Sequence, residues 1–412
     1  MRGAVLAVGD ELLLGDIVNG NAAWLGSALA GVGVWVVHSA MVGDEVGRLA
    51  RALRRALEDA DVVVLTGGLG PTTDDLTRDA VALVAGVELE RRPAIEDQLR
   101  ERFAAYGMAM PQEVLRQADV PVGATPLDNP VGTAPGLWLE LDGRVVVALP
   151  GPPHEMRAVA EAHLLPALAE RSGTVVTTRT LRCAGLGESA VAELVEAAAE
   201  VPEGVDRAYL AGGGVVRVRF TTAGDPAVLV PLVDACAAAL GDAVFARDDE
   251  TLPEVVVRVL GARGETLATA ESLTGGLVGA ALTDVAGASA VFRGGLLTYA
   301  TDTKGSLAGV PADFLEAHGA VSEQTARAMA EGARSRLGTD WAVATTGVAG
   351  PDEQEGKPVG TLHVAVAGPS GTTVRSARLP GDRDRVRVLA VTTALDAVRR
   401  AVARVDEPRT AP

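Results

Sequence analysis

A short stretch with the sequence AESLTGG, residues 270–276, combines residue types that could perform nucleophilic chemistry. Ser272 follows the apolar run ETLATA (265–270), which predicts a buried strand, and precedes a small apolar run that predicts a packed helix. Serine is also a favoured helix N-cap, because its oxygen accepts a backbone N–H that has no partner in the helix. Ser272 is therefore either a helix cap or a nucleophile, and the choice depends on partners elsewhere in the chain.

Tyr299 and Lys304 are the candidate partners. A serine nucleophile needs a base to take its proton, and no histidine lies near these loops in the sequence. Tyr299 ends a predicted strand and Lys304 opens the helical turn that follows, so a lysine with a lowered pKa, or a tyrosine polarised by it, can replace histidine. The simpler interpretations are an aromatic residue at the edge of the core for Tyr299 and a solvated helix residue for Lys304.

The use of lysine favours the catalytic interpretation. Of 37 basic residues, only Lys304 and Lys357 are lysines and the other 35 are arginines. Coding bias explains the excess of arginine, but arginine cannot lose its proton at working pH, whereas a partly buried lysine can. Backbone N–H groups of TGG and of TTG (345–347) could stabilise an oxyanion. The predicted substrate contacts in this region are Thr274, Gly275, Gly276, Thr346, Gly347, Gly350 and Lys357.

Four polar or glycine-rich clusters follow predicted strands near the start of the chain, at residues 9–25, 66–80, 129–136 and 149–156. In TGGLGPTTDD a strand runs into glycines and then into a predicted helix start at Thr72 or Thr73. Glycine lets the backbone approach a ligand closely, and the N–H groups at a helix start bind phosphate. The predicted ligand contacts are Gly67, Gly68, Gly70, Thr72, Asn129, Gly132 and Thr133.

The same clusters carry carboxylates. Carboxylates beside phosphates usually hold Mg²⁺ or a similar hard cation, and five of them could converge here: Asp10, Glu11, Asp74, Asp75 and Glu155. The alternative for Asp74 and Asp75 is that they favour the positive end of a helix. Because four such clusters follow four strands, the sequence favours a phosphorylated ligand together with a divalent cation.

Alternating strands and helices must position these residues. Near-continuous apolar strands are predicted at 3–9, 33–39, 60–68 and 143–151, with helices at 20–31, 45–59, 72–85 and 152–171. This pattern indicates a parallel sheet covered by helices on both sides, with ligands at the carboxyl ends of the strands.

Two further segments complete the chain. A small α+β unit is predicted with strands at 175–183 and 213–222 and helices at 187–199 and 226–240. An α/β segment follows, with strands at 265–270, 290–299, 340–346, 359–367 and 372–378 and a last helix at 382–404. The predicted domains are residues 1–171, 172–249 and 250–412.

Composition limits the classes of function. The formal charge of −17 argues against nucleic acid as the main partner, because like charges repel phosphate backbones. Two cysteines in 412 residues suggest neither a metal site nor a disulfide framework. No run of 18 apolar residues appears, and the first predicted strand begins at residue 3 and leaves no room for a signal peptide. We therefore expect a cytoplasmic protein without a membrane partner.

These motifs resemble those of the CinA family (competence/damage-inducible protein A). TGGLGPTTDDLTR and NPVGTAPG carry the resemblance near the start, and AESLTGG, TYATDTK and TGVAGPDEQEGKPVGT carry it in the last third. The resemblance covers essentially the whole chain. It implies an α/β protein with an N-terminal molybdopterin-binding-like parallel-sheet domain, a small α+β KH-like middle domain and a C-terminal α/β deamidase domain.

For the last domain the resemblance implies a PncC-type nicotinamide-nucleotide amidohydrolase, which converts nicotinamide mononucleotide to nicotinate mononucleotide and ammonia without a cofactor. Ser272 would be the nucleophile, and Tyr299 with Lys304 would supply the base. The chain departs from the family pattern at Leu273, where cysteine is frequent, and in the loop 351–357, which is more acidic than the usual glycine-rich version.

For the first domain the resemblance implies an ADP-ribose pyrophosphatase that yields AMP and ribose 5-phosphate with a divalent metal (Mg, Co or Mn), helped by K⁺. Both substrates are breakdown products of NAD, so the expected role is pyridine-nucleotide recycling by a homodimer. Residues 174–250 hold six arginines, no lysine and twelve acids, so we expect a spacer or dimerisation element there and no RNA. The alternatives are a non-catalytic competence or damage-response binding protein and a molybdopterin-handling protein.

Overall fold

A computed structural model describes residues 1–173 and 176–406 of the chain. The chain divides into two compact units, residues 1–177 and residues 178–412. The first residue of the strand predicted at 175–183 lies outside the described residues. Each unit is described by itself.

The first unit is built around a six-stranded sheet. Its strands are β1 Arg2–Val8, β2 Trp35–Val42, β3 Val62–Thr66, β4 Leu89–Arg91, β5 Asp119–Pro121, β6 Thr125–Leu127, β7 Gly136–Leu141 and β8 Arg144–Leu149. Its helices are α1 Asp10–Leu14, α2 Gly20–Gly31, α3 Val46–Asp59, α4 Thr77–Ala85, α5 Pro93–Ala105, α6 Pro153–Val159 and α7 Leu165–Ser172, with a 3₁₀ turn at Gln112–Ala118 and a π turn at Ala160–Leu164 between α6 and α7.

The strand order is β2-β1-β3-β8-β7-β6. Strands β2, β1, β3 and β8 are parallel, as the apolar runs predict. Strands β1, β3 and β8 are buried on both faces, whereas β2 lies at the edge of the sheet and is largely exposed. Strands β7 and β6 extend the sheet antiparallel, and a separate β4–β5 pair lies outside it. The sequence analysis did not predict these short strands, since two of them contain proline and none forms a long apolar run.

The helix predicted to start at Thr72 or Thr73 begins instead at Thr77. The preceding residues form a turn that Asp75 holds, accepting the backbone N–H of Gly70 at 2.7 Å and that of Thr72 at 2.8 Å. The buried guanidinium of Arg78 donates to the carbonyl oxygens on the other side of the same turn. Side-chain hydrogen bonds therefore displaced the helix start by about one turn.

The second unit begins with a four-stranded antiparallel sheet in the order β10-β11-β9-β12. Its elements are β9 Thr177–Ala184, α8 Glu188–Ala198, β10 Val205–Gly212, β11 Val215–Thr222, α9 Leu229–Leu240 and β12 Val244–Arg247. Strands β10 and β12 were not predicted. The stretch Pro226–Ala243 is long and apolar enough to cross a membrane by length and composition alone. Its helix α9 buries one face, including Leu232, Cys236 and Leu240, against this sheet, which is typical of a core helix.

The rest of the second unit is a five-stranded sheet in the order β14-β13-β15-β16-β17. Its elements are α10 Leu252–Arg263, β13 Leu267–Glu271, α11 Leu277–Thr283, β14 Phe292–Leu297, α12 Thr301–Ser306, α13 Ala312–His318, α14 Glu323–Leu337, β15 Trp341–Gly347, β16 Thr361–Gly368, β17 Gly371–Arg378 and α15 Arg383–Asp406. Strands β14, β13 and β15 are parallel, and β16 and β17 are antiparallel. The carboxyl ends of three parallel strands therefore meet at one edge, where the residues singled out in the sequence lie.

Small residues allow this sheet to pack closely on α14. Buried alanines of β13, β15 and β16 face buried alanines of α14 in one core cluster. At Gly332 of α14, an added Cβ would lie 1.7 Å from the carbonyl oxygen of Ala308, so only glycine fits there. The opposite face of the sheet packs on α10 and α15 through valines and leucines. The site at the strand ends is thus supported on both faces by dry, close-packed layers.

Candidate active site

Ser272 lies at the carboxyl end of β13 with 8% of its surface exposed. Its backbone N–H donates to the carbonyl oxygen of Thr345 at 3.0 Å, which fixes it to the end of β15. Its Oγ accepts a hydrogen bond from Lys304 Nζ at 3.2 Å. The serine therefore presents its hydroxyl to a buried amine.

Helix α11 is capped by the neighbouring residue, Glu271. The Glu271 carboxylate, 1% exposed, accepts the backbone N–H groups of Gly276, Val278 and Gly279 at 2.8–3.0 Å. Ser272 makes no side-chain cap with this helix, whose N-cap residue is Gly276. Ser272 is therefore not the cap of α11, because the Glu271 carboxylate accepts the N–H groups at the start of this helix and the Ser272 hydroxyl contacts Lys304 instead.

Lys304 lies in α12 and is 2% exposed. Besides Ser272, its Nζ donates to the carbonyl oxygen of Thr298 at 2.9 Å. No carboxylate of the described residues lies within ion-pair distance of this amine. Burial lowers the pKa of Lys304, and the charges of Glu355 and Asp302 oppose that shift. An amine in this environment can lose its proton and then accept the proton of a serine hydroxyl.

Tyr299 lies away from the serine. It is 60% exposed, and its hydroxyl accepts a hydrogen bond from Arg383 at 2.8 Å. Arg383 also donates to the carbonyl oxygen of Gly350 at 2.6 Å, so it joins the loops that follow β14 and β15. Within the part of the chain that the structure describes, Tyr299 makes no hydrogen bond to Ser272 or Lys304. The structure therefore places Lys304, and not Tyr299, within hydrogen-bond distance of Ser272.

A cavity of about 140 Å³ lies above these groups. Of the predicted site residues, it is lined by Ser272, Tyr299, Lys304, Thr346, Gly347 and Gly350. The predicted contacts Thr274, Gly275, Gly276 and Lys357 do not line it. Thr274 is buried against Thr345, with 2.8 Å between the two hydroxyl oxygens, and the N–H of Gly276 is held by Glu271. Lys357 is exposed in a turn.

Backbone N–H groups at this cavity differ from those predicted for the oxyanion. Gly275 donates to the carbonyl oxygen of Ser272 at 3.1 Å, so the TGG stretch is occupied by its own turn and by Glu271. Leu273 and Ala349 both line the cavity, and in the described ranges the backbone N–H groups of these two residues donate to no protein acceptor. The N–H of the residue after a nucleophile is a common oxyanion donor. Leu273 and Ala349 are therefore the best candidates for this role.

Two charged side chains that the sequence analysis missed hold the loops around the cavity. Arg387 of α15 donates to the carbonyl oxygens of Leu273 and Thr274 at 3.2 and 3.1 Å. Glu355 accepts the backbone N–H groups of Ala320 and Val321 at 3.0 and 3.2 Å. No local sequence signal distinguishes Arg387 from the many other arginines, and the acidic loop carrying Glu355 had suggested only a departure from the family pattern.

A second cavity, of about 570 Å³, lies at the carboxyl ends of β1 and β3 in the first unit. The predicted residues that line it are Glu11, Gly67, Gly68, Gly70, Asp74, Asp75, Thr133 and Glu155. The cavity is not lined by four other predicted residues, which lie in the surrounding loops: Asp10, Thr72, Asn129 and Gly132. Asn129, for example, donates to Glu155 at 2.7 Å and accepts the N–H of Gly132 at 2.8 Å. An added Cβ at Gly132 would overlap Glu155, which explains the glycine.

The predicted carboxylates do not form a metal-ligand set. Among the described residues, no three side chains from histidine, cysteine, aspartate and glutamate are grouped closely enough to hold a metal. Asp75 is engaged by its own turn, Glu155 by Asn129, and Asp10 by the backbone N–H of Asp44 at 3.3 Å. Burial raises the pKa of Asp44, which also lines the cavity. The residues present do not fit a metal held by protein ligands alone.

Two buried acceptors in this cavity lack donors. Asn21 donates from Nδ2 to Thr66 Oγ1 at 3.0 Å and to the carbonyl oxygen of Gly151 at 2.7 Å, which fixes its amide orientation and leaves Oδ1 without a partner. Gln117, 2% exposed, has an unpaired Oε1. A buried acceptor without a donor costs about 1–3 kcal/mol. Both residues line the cavity, so a ligand with O–H or N–H donors would satisfy them.

Comparison with known proteins identifies the family. A CinA-like protein of Frankia casuarinae is 53% identical over 424 residues, which cover 98% of this chain and 96% of that protein. The chain belongs to the CinA family. Three domain families match it in order: a probable molybdopterin binding domain at residues 4–170, the damage-inducible protein CinA KH domain at 178–246 and the CinA C-terminal domain at 249–402. The three-domain α/β architecture predicted from the sequence is confirmed.

One further relative agrees with this assignment. A putative competence-damage inducible protein of Symbiobacterium thermophilum is 46% identical and covers 97% of this chain and 98% of its own length. A crystal structure of a protein CinA with unknown function from Thermoplasma acidophilum is 38% identical, covers 40% of this chain and 97% of its own, and has a TM-score of 0.39.

Proposed function

We propose that the C-terminal module deamidates nicotinamide mononucleotide to nicotinate mononucleotide and ammonia. The observation that carries this proposal is the contact between the buried Lys304 amine and the Ser272 hydroxyl at the closed end of a small cavity. A serine activated by a neighbouring amine attacks carbonyl carbons, and its neighbours in the cavity include N–H donors for the resulting oxyanion.

The steps follow from these groups. Neutral Lys304 takes the Ser272 proton as Oγ bonds to the amide carbon, and the N–H groups of Leu273 and Ala349 stabilise the oxyanion. Lys304 then gives that proton to the amide nitrogen, the carbon–nitrogen bond breaks, and ammonia leaves an ester on Ser272. Water attacks the ester, with Lys304 as base again, and releases the carboxylate. Each step returns the proton, so no cofactor is needed.

The size of the cavity limits what it encloses. At about 140 Å³ it is smaller than the ~300–1,000 Å³ of sites that enclose whole small ligands. It suits the carboxamide and its ring, with the ribose phosphate extending past the mouth. Arg383 is the exposed cation among the residues that line the cavity. Arg383 thus replaces the predicted Lys357 as the candidate phosphate contact.

Ammonia release from nicotinamide mononucleotide by the full chain tests the proposal. Wild-type protein should release ammonia with an equal amount of nicotinate mononucleotide, and Ser272→Ala should release none above background. Ser306→Ala is a matched control, because Ser306 is an exposed serine of α12 outside the cavity. A wild-type protein without amidase activity, or an active Ser272→Ala variant, would remove the proposal and favour a non-catalytic binding protein.

We further propose that the cavity of the first unit binds ADP-ribose and hydrolyses it to AMP and ribose 5-phosphate. Its volume suits a nucleotide, and its glycine-rich turns bring backbone close to the ligand. The unpaired oxygens of Asn21 and Gln117 favour a ligand that carries donors, such as ribose hydroxyls and an adenine amine. Molybdopterin also carries such donors, so it is the competing ligand.

Gln117→Met tests this assignment. Among the described residues the Gln117 side-chain amide has no hydrogen-bond partner, so the variant should melt at a temperature no lower than that of the wild type. ADP-ribose should bind at least about fivefold more weakly, because one hydrogen bond is lost. Gln112→Met, in the same 3₁₀ turn but exposed, should bind normally. Unchanged ADP-ribose affinity in Gln117→Met would contradict the assignment, and tighter binding of molybdopterin than of ADP-ribose by wild type would favour the alternative.

The remaining expectations are parts of this proposal. A divalent cation, with K⁺, is expected to support ADP-ribose cleavage, although the protein carboxylates are not grouped as a metal site, and chelator treatment tests it.

We propose a cytoplasmic homodimer in pyridine-nucleotide recycling. Cys183 and Cys236 are both buried and free, and burial raises the pKa of Cys183 to about 11, as suits an unreactive thiol in a reducing compartment.

A further inference from the structure

A third cavity, of about 530 Å³, lies in the second unit between the KH-like module and the C-terminal module. Its floor carries the apolar residues Val364 and Val366 of β16 with Ala397 and Ala401 of α15, and the rest of its lining is more polar. Its rim on the KH-like side includes Gly185 and Leu186. The volume is in the range of sites that enclose small ligands, and neither proposed activity uses it. We call it the junction cavity.

Arginines concentrate at the junction cavity. Arg375, Arg400 and Arg404 line it, and Arg399 lies beside them on α15. The buried carboxylate of Asp396 is the shared partner of three of these four, at 2.7 Å from Arg399 and Arg400 and 3.5 Å from Arg375. One other carboxylate, Asp242, lines the cavity. The three arginines that line the cavity, with Arg399 beside them, therefore outnumber the carboxylates Asp396 and Asp242 by four to two, in a chain whose net charge is −17.

In the described part of the chain, several N–H donors of these guanidinium groups have no hydrogen-bond acceptor. Arg404 is exposed and has no ion-pair or hydrogen-bond partner in the part of the chain that the structure describes. Arg375 has the single long contact with Asp396 and is 43% exposed. Arg400 uses Nε on Asp396 and reaches the carbonyl oxygen of Ala184 at 3.4 Å with one terminal nitrogen. These contacts connect the two modules, and they still leave N–H donors of the arginines available to a ligand.

The guanidinium groups of Arg375 and Arg400 lie close together beside Gly185. Gly185 has a φ of +83°, and a Cβ added there would lie 3.4 Å from Asp396 Oδ2 and 3.5 Å from a terminal nitrogen of both Arg375 and Arg400. The loop GLGES, the stretch of the KH-like module nearest to a phosphate-clamping GXXG loop, thus begins beside Arg375 and Arg400 of the C-terminal module. The KH-like module therefore contributes backbone groups to the junction cavity, and the C-terminal module contributes charged side chains.

We propose that the junction cavity binds a phosphorylated small molecule, with a nucleotide as the class. Guanidinium groups recognise phosphate through paired charge-assisted hydrogen bonds. A doubly charged phosphate balances the surplus of two cations better than a single carboxylate does. The apolar floor suits the face of a planar ring. A ligand that touches Gly185 and Arg375 together binds both modules, so its binding holds them in one arrangement.

Hydrogen exchange on the full chain separates this cavity from the two proposed active sites. With millimolar AMP as the probe, amides of residues 184–187 and 240–243 should exchange more slowly. Arg375→Gln with Arg404→Gln should weaken this protection at least about tenfold in AMP concentration, because two charged contacts are lost. Arg378→Gln is the matched control, since Arg378 is exposed on the same strand and lies outside the cavity. None of these arginines belongs to the amidase site, so ammonia release without AMP should be unchanged.

Three outcomes would overturn the proposal. Exchange at residues 184–187 and 240–243 could be unaffected by AMP in the wild type. Protection could persist in the double variant at the same AMP concentration. Single-stranded RNA could protect the same residues at far lower concentration than AMP, which would make the cavity part of a macromolecular interface. Inorganic phosphate, used as a second probe, should protect more weakly than AMP if the apolar floor contributes, and equal protection would contradict that part.

Discussion

At the scale of single residues, the proposed chemistry of the C-terminal module depends on the buried amine of Lys304, whose pKa burial lowers. Lys304 has two hydrogen-bond partners and no ion-pair partner in the described part of the chain. Arginine at this position stays charged above pH 12 and cannot accept a proton. We therefore expect Lys304→Arg to lose at least about 10²-fold in kcat/KM for ammonia release, the lower end of general-base effects.

Two comparisons make this prediction specific. Ser272→Ala should lose as much or more, and the double variant should be little worse than either single variant, because the two groups act as a unit. Lys357→Arg, the other lysine, is exposed and outside the cavity, so it should keep its activity within about twofold. Near-normal turnover by Lys304→Arg would refute the mechanism.

The pH dependence of the amidase follows from the same lysine. Only neutral Lys304 can take the Ser272 proton, so kcat/KM should rise with pH through the pKa of Lys304 and then level off. Burial lowers that pKa, so the midpoint should lie below the ordinary lysine value of about 10.4. The charge of Asp302 raises the pKa of Lys304, so Asp302→Asn should move the midpoint to lower pH. A midpoint that moves upward would contradict this assignment.

Residue type pointed correctly to part of this site. Nearness along the sequence was a poor guide to the other contacts. Lys304 and Lys357 were conspicuous because lysine is rare in the chain, yet only Lys304 is buried against Ser272. Tyr299 was paired with Lys304 because they are near in sequence, but its hydroxyl faces Arg383 instead. Arg383 itself could not be found, since it is one of 35 arginines and lies 84 residues from Tyr299 along the chain.

At the scale of elements, Glu271 links a strand to a helix beside the nucleophile. Its buried carboxylate accepts three N–H groups of α11. Glu271→Ala should leave these donors without an acceptor, so amides 276–279 should exchange at least about tenfold faster. Glu316→Ala, an exposed glutamate of α13, should leave exchange there unchanged. Equal exchange in the two variants would show that α11 does not need this cap.

Element prediction succeeded where burial on both faces imposed a simple pattern. The apolar runs of β1, β3, β8 and β13 predicted buried parallel strands because every residue in such a strand faces a helix layer. Strand β10 has mixed polar and apolar residues and was missed, because one face is open to solvent and its partner β11 alone sets its pairing. The start of α4 was missed because local side-chain hydrogen bonds of Asp75 and Arg78 hold the preceding residues in a turn, and the helix-start pattern of the sequence does not reveal these bonds.

At the scale of the whole molecule, the modules are not equally separable. Residues 1–177 form one unit and residues 178–412 another, whereas the KH-like and C-terminal modules share a core. Ala184, Phe245 and Ala246 of the KH-like module belong to the same buried cluster as α10 and α15. The sequence analysis predicted a domain boundary after residue 249, but the sequence pattern carries no information about which side chains pack across it.

This shared core predicts different behaviour for two fragments. Residues 178–412 should fold, deamidate as the full chain does, and show no ADP-ribose hydrolysis. Residues 249–412 keep Ser272 and Lys304 and should also deamidate, but they lose Phe245 and its contacts. A lost core phenylalanine costs about 3–5 kcal/mol, which lowers the melting temperature by roughly 10 °C for a domain of this size. Trp341, the sole tryptophan of either fragment, reports the unfolding by fluorescence. Equal melting temperatures would show that the two modules are independent, and an inactive but folded 178–412 fragment would show that the amidase site requires the first unit.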